Sequence, residues 1–261
     1  MSKAIYLPAA LIRIPEKEIR MTFQVVLIGS DGVVCGSDRM IADRRSVIHP
    51  YLKDESDTVE LIKRTTGRKI LLLRDIACAF AGGPNAEIIA RRIITDCDQD
   101  GLSLIEWQNQ IVACAKSVGG SGGRILDEVI VIRKNNLGVA VRLLIQGNDT
   151  PIPFIVERGI CTGDVVQAAR FLSEQLCDED SPPMPVYFLE RLALLSIAFA
   201  SKENPTGIGR GCDILTVTPE QGFAIRQYDK NEVDKLCNEF TEQLRQMVRG
   251  IDMPRLVESF Q

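Results

Sequence analysis

Short apolar runs separated by turn-forming residues dominate the first half of the chain. "TFQVVLIG" (22–29) and "VVCGSDRM" (33–40) flank Ser30-Asp31-Gly32, and Asp-Gly between apolar runs is a strong signal for a hairpin. "KILLL" (69–73) and "IACAFAGG" (76–83) predict a second hairpin across Arg74-Asp75, continuous enough in apolar residues to be covered on both faces. Between the two hairpins, residues 43–68 read as a polar, irregular excursion with one helical turn near Val59.

The period then changes. Pro84 opens "PNAEIIARRIITDCDQ", where Ile88, Ile89, Ile93 and Ile94 recur at helical spacing, and a second helix covers roughly Leu102 to Ser117 with the sole tryptophan, Trp107. The glycine-rich "VGGSGGR" (118–124) precedes strands "DEVIVIRK" and "GVAVRLLIQG", which turn at Asn135-Asn136. "PFIVERGI" (153–160) reads as one further strand. Helices follow over Asp164 to Cys177 and up to about Lys202, then a hairpin "DILTVT" to "GFAIR" across Pro219-Glu220, then a helix from about Asn231 to Val248. Strands that come as antiparallel hairpins, rather than alternating singly with helices, predict a layered α+β fold. No interior linker divides the chain, and no repeat is visible.

Composition narrows the function. With 261 residues and 45% apolar content the chain can bury a large core. Its 35 acidic and 31 basic residues are mixed along the chain, giving a net charge of -4 and no extended positive field for nucleic acid. Eight cysteines (Cys35, Cys78, Cys97, Cys114, Cys161, Cys177, Cys212 and Cys237) contain no C-x-x-C pair, which fits buried thiols in a reducing compartment rather than staples or a metal site. The single histidine, His49, precedes Pro50 in a polar stretch and reads as an ordinary loop residue. No run approaches the length of a membrane span, and the opening segment's apolar run is broken by Pro8 and Arg13, so the cytoplasm is the expected location. "GIGRGC" (207–212) mimics a phosphate cradle but precedes a strand instead of opening a helix, so no nucleotide or other cofactor is expected.

Taken in register, "TFQVVLIGSDGVVCGSD", "GRKILLL" and "AFAGGPNAEIIARRI" resemble the opening hairpin, lysine strand and glycine turn of the proteasome β-subunit and HslV-like family of N-terminal nucleophile hydrolases. "CTGDVVQAARFL" and "GCDILTVTPEQGFAIR" fall where that family has its third helix and last hairpin. The resemblance implies a four-layer αββα sandwich over residues 22–261. It also implies an N-terminal extension, residues 1–21, that is either a propeptide or an upstream start. In the second case, removal of Met21 alone exposes Thr22.

The implied chemistry is that of a threonine peptidase. A threonine hydroxyl needs a base, and a free α-amine with an ordinary pKa of roughly 7.7 to 8.0 can serve. Thr22 is then the nucleophile, Lys69 the cation favouring neutral amine and alkoxide, Asp38 the carboxylate holding that cation, and the Gly82 N–H the oxyanion donor. Asp164 stands where the family has a serine; it either accepts the Thr22 ammonium or caps the following helix. Met21 and Met40 replace a family glycine and arginine. Ala42 and Gly82 mark strand edges for an extended peptide, and Phe80 the floor of a side-chain pocket. The implied partners are a peptide or unfolded-protein substrate, further copies of the chain in a ring, and an unfolding ATPase. A non-catalytic ring or scaffold subunit and an amidase for a small amide remain alternatives.

Overall fold

The computed structural model describes residues 22–48, 58–97, 101–121, 126–134, 138–163, 183–204, 208–209 and 211–249, with backbone alone over 40–48, 58–66, 240–241 and 243–249. One five-stranded antiparallel sheet has the order β10-β1-β2-β11-β12, formed by Gly159–Gly163, Phe23–Ile28, Val33–Asp38, Cys212–Thr218 and Gly222–Tyr228. The other has the order β5-β6-β7-β8-β9, formed by Ile70–Leu73, Ile76–Ala81, Leu126–Arg133, Val139–Gln146 and Ile152–Ile155. Four helices are described: α1 (Pro84–Asp96), α2 (Leu104–Val118), α3 (Val186–Glu203) and α4 (Lys230–Arg249).

Strand parity explains the layering, because successive side chains point to opposite faces. On β1, Phe23, Val25 and Leu27 pack with Leu189, Ala193 and Ile197 of α3, while Val26 turns inward. On β6, Ile76, Cys78 and Phe80 pack with Ile89 and Ile93 of α1 and Trp107 of α2, while Ala77 and Ala79 turn inward. The inward residues of both sheets form one central layer, with Cys35, Leu215 and Val217 facing Ile130, Ile132 and Ala140. The chain is therefore an α+β sandwich of two antiparallel sheets between helices, as the hairpin-rich pattern predicts. Among the described residues no helix is long and apolar enough to cross a membrane.

Two segments differ from the sequence expectation. Of the excursion expected over 43–68, residues 49–57 lie outside the described residues, and 43–48 and 58–66 form neither irregular chain nor a helical turn near Val59. They belong instead to a two-stranded antiparallel ribbon, β3 (Met40–Ile48) and β4 (Thr58–Thr66), running from Met40↔Thr66 to Ile48↔Thr58. Charged residues conceal the β-branched content of Thr58, Val59, Ile62, Thr65 and Thr66, which favours an extended backbone. "PFIVERGI" is not one strand. Its first half lies in β9 against β8 and its second in β10 against β1, so the chain changes sheets around Glu157-Arg158. The helix expected over 164–177 lies outside the described residues.

Candidate active site

Thr22 immediately precedes β1 and is only 2% exposed. The next amide, Phe23 N–H, donates to Asp38 Oδ1 at 2.9 Å. Lys69 Nζ donates to the same oxygen at 2.8 Å, and the Gly209 N–H donates to Asp38 Oδ2 at 3.1 Å. Asp38 is 0% and Lys69 3% exposed, so both ions of this pair are removed from solvent. Burying a carboxylate and an ammonium is costly, and three charge-assisted contacts at hydrogen-bond length are what makes it tolerable.

The second sheet is tied to the same place. Gln24 Nε2, two residues beyond Thr22, donates across the sandwich to the Phe80 carbonyl at 2.7 Å, and Thr162 Oγ1 donates to Gln24 Oε1 at 3.3 Å. The Phe80 N–H in turn donates to the Lys69 carbonyl at 3.1 Å. The start of β1, the end of β2, the residue before β5 and the end of β6 thus converge at one end of the sandwich. Gly82, one residue past β6, has φ +105°, and a Cβ there would overlap the Leu126 carbonyl, so only glycine suits the position.

The sequence-derived candidates fall into three groups. Thr22, Asp38, Lys69 and Gly82 lie on the segments that converge. Phe80 is buried and packs into the core on the α1 side of its sheet, and Ala42 pairs with Arg64 within the β3–β4 ribbon. Asp164 lies outside the described residues; β10, which leads to it, ends with Gly163 paired to Phe23.

Sequence reasoning passed over two neighbours of the site. Asp213, opposite Ser37 on β11, is 1% exposed and has Arg39 Nε 3.6 Å from its Oδ1. Burial pushes its carboxyl above the usual range, with Arg39 and Arg68 pulling the other way. Asp127, 0% exposed, accepts from the Gly83 N–H at 2.7 Å. Glycine-rich "VGGSGG" upstream was the only available signal, and it read as a break.

Cys35 lies in the central layer, and burial pushes its thiol up to about 12, so it stays protonated near neutrality as a packing residue. Among the described residues no group of three His, Cys, Asp or Glu side chains could hold a metal ion.

Among the solved structures to which the chain is similar are Anbu proteins. Anbu (ancestral beta-subunit) from Yersinia bercovieri is 12% identical, with 88% of this chain and 97% of that chain covered and a TM-score of 0.58. Anbu from Hyphomicrobium sp. strain MC1 is 13% identical, covering 88% and 98%, with a TM-score of 0.53. A (Gly-1) mutant of that protein is 14% identical, covering 88% and 98%, with a TM-score of 0.58. The fold is that of a proteasome-like N-terminal nucleophile hydrolase. No protein-family model matches the chain, and no curated protein matches it.

This corrects the family expectation. The sequence motifs resemble proteasome β-subunits and HslV, whereas the similar solved structures are Anbu proteins, which are proteasome-like but distinct. The likeness at 12–14% identity is one of fold.

Proposed function

We propose that this chain is a threonine-type peptidase, in which the Thr22 hydroxyl attacks an amide carbonyl once residues 1–21 have been removed. The observation that supports this reading is the buried Asp38 carboxylate, which joins the Lys69 ammonium to the amide directly after Thr22. A lysine held there by its counter-ion places fixed positive charge beside the start of β1.

In the proposed reaction the freed α-amine of Thr22 takes the hydroxyl proton as the oxygen bonds to the substrate carbonyl carbon. The Lys69 charge favours both the neutral amine and the developing alkoxide, and the Gly82 N–H donates to the oxyanion. Collapse of that intermediate breaks the C–N bond, with the α-ammonium returning the proton to the leaving amine. Water, deprotonated by the same amine, then cleaves the ester and restores Thr22. Before removal of residues 1–21 that nitrogen is an amide and has no basicity, so processing would switch the site on. The substrate is a peptide or unfolded protein, and the name "beta-subunit" carried by the Yersinia protein supports assembly of several copies.

The test combines intact mass with hydrolysis of fluorogenic peptides by the full chain after expression. Active material is expected to begin at Thr22, and Thr22→Ala is expected to lower kcat by at least about 1000-fold with an unchanged circular dichroism spectrum. Hydrolysis retained in that variant, or activity in material that still carries residues 1–21, would overturn the proposal.

A further inference from the structure

The Gly82-Gly83 turn is gripped from behind by a network that the proposed chemistry does not yet use. Asp127 Oδ1 accepts from the Gly83 N–H at 2.7 Å and from Ser121 Oγ at 2.9 Å, while its Oδ2 accepts from the Ser121 N–H at 2.5 Å. Ser121 Oγ also accepts from the Asn85 N–H at 3.0 Å. Asn85 Nδ2 then donates to the carbonyls of Gly119 and Gly120 at 3.2 and 3.0 Å. A Cβ on Gly83 would overlap the Ser121 hydroxyl, so the two segments are in direct contact.

Part of this is ordinary helix capping. Gly83 is the N-cap of α1 and has no side chain to offer, so Ser121 satisfies the Asn85 amide in its place. Capping the helix does not, however, account for a fully buried carboxylate on the Gly83 amide. Gly82 at φ +105° is free of the Cβ that would bias its backbone, and a glycine can rotate its flanking peptide planes at little cost. The plane before it is held by the β6–β7 ladder, where Ala81 pairs with Glu128. The plane after it, which carries the Gly83 N–H, is held by Asp127. The Gly82 N–H lies in the first of these planes, at the last rung of the ladder, and the Asp127 grip on the plane directly after it keeps that rung from peeling away.

We propose that Asp127, buttressed by Ser121, is a positioning residue that aims the Gly82 amide at the oxyanion; this rests on the Thr22 peptidase reading. Asp127 touches no reacting atom. Its effect passes through the Gly82-Gly83 backbone and appears when negative charge develops on the substrate oxygen, so it belongs to kcat and not to ground-state binding.

The test uses the full chain, shown by intact mass to begin at Thr22, with a fluorogenic peptide, a peptide boronate that forms a tetrahedral adduct, and the product peptide as a non-covalent ligand. Asp127→Ala is expected to lower kcat by about 100-fold, the scale of a misaligned donor, while KM stays within about 3-fold. Boronate affinity falls in parallel with kcat, and product-peptide affinity does not. Asp127→Asn recovers only part of the loss, because a carboxamide oxygen can still accept from the Gly83 N–H but the amide NH2 then faces the Ser121 N–H. If Asp127→Ala fails to fold, Ser121→Ala decides, with an expected fall of about 10-fold in kcat. Unchanged kcat in a folded Asp127→Ala or Ser121→Ala protein, or a loss carried by KM with boronate affinity intact, would overturn the inference. Failure of the unaltered protein to hydrolyse peptide or bind boronate would instead sink the Thr22 reading, and the inference with it.

Discussion

Asp38 and Asp213 sit one step apart on paired strands, with Cys212 opposite Asp38 and Asp213 opposite Ser37. Both are buried, yet their surroundings differ. Asp38 gathers three N–H donors at 2.8 to 3.1 Å, one of them the Lys69 ammonium. Asp213 has Arg39 Nε at 3.6 Å, beyond hydrogen-bond length, and among the described residues neither that nitrogen nor Asp213 Oδ1 has a hydrogen-bond partner. Desolvation cost is set by burial and is similar for both, so the difference lies in compensation. A complete donor set holds a carboxylate in place, as the proposed chemistry beside Thr22 requires. An incomplete one leaves burial in command, and the Asp213 carboxyl is accordingly pushed up.

The largest effect expected from this contrast comes from Asp38. Asp38→Ala would take its carboxylate partner from a Lys69 ammonium that is 3% exposed, at a cost of about 3 to 5 kcal/mol in denaturant unfolding. Removing both charges in Asp38→Ala with Lys69→Met should recover a large part of that loss, because the buried ammonium goes together with its carboxylate. Peptide hydrolysis should stay absent in both proteins. A double variant no more stable than the single would show that the pair is not the coupled unit described here.

How much of this could be read from the chain depends on distance along it. The hairpin around Asp31-Gly32, the strand after Lys69 and the glycine end of β6 follow from local patterns, since short apolar runs and turn residues lie side by side. The pairing of Asp38 with Lys69 spans 31 residues and came from resemblance, not from any local rule. The Gly209 amide reaches Asp38 from 171 residues away, and Asp127 reaches Gly83 across 44, so neither role was legible. The β3–β4 ribbon was missed for another reason: charges at Asp43, Arg44, Arg45, Glu60, Lys63 and Arg64 masked an extended backbone whose pairing is long and regular.

A smaller effect tests the weaker half of the contrast. Arg39 lowers the Asp213 carboxyl against the upward push of burial, so Arg39→Met should raise it further. A carboxyl whose native pKa is raised binds protons more tightly when folded, so its contribution is fully present below the unfolded value and is lost as pH rises through the native one. Arg39→Met should therefore match the unaltered protein near pH 4 and fall behind it near pH 7, by about 1 kcal/mol for a pair whose arginine is partly exposed. Equal stability at both pH values would mean that Arg39 does not act on Asp213.

The smallest effect belongs to Asp213→Asn. An amide of the same shape keeps the packing of β11 against β2 but cannot ionise, so the fall in stability with rising pH that Asp213 causes should disappear. Relative to the unaltered protein, Asp213→Asn is expected to gain as pH is raised from about 4 to 7, by about 1 kcal/mol or less, with the loss of the Arg39 attraction offsetting part of the gain. Urea unfolding of Asp213→Asn and of the unaltered protein across that range checks this: parallel dependence on pH would mean that burial does not govern the Asp213 carboxyl.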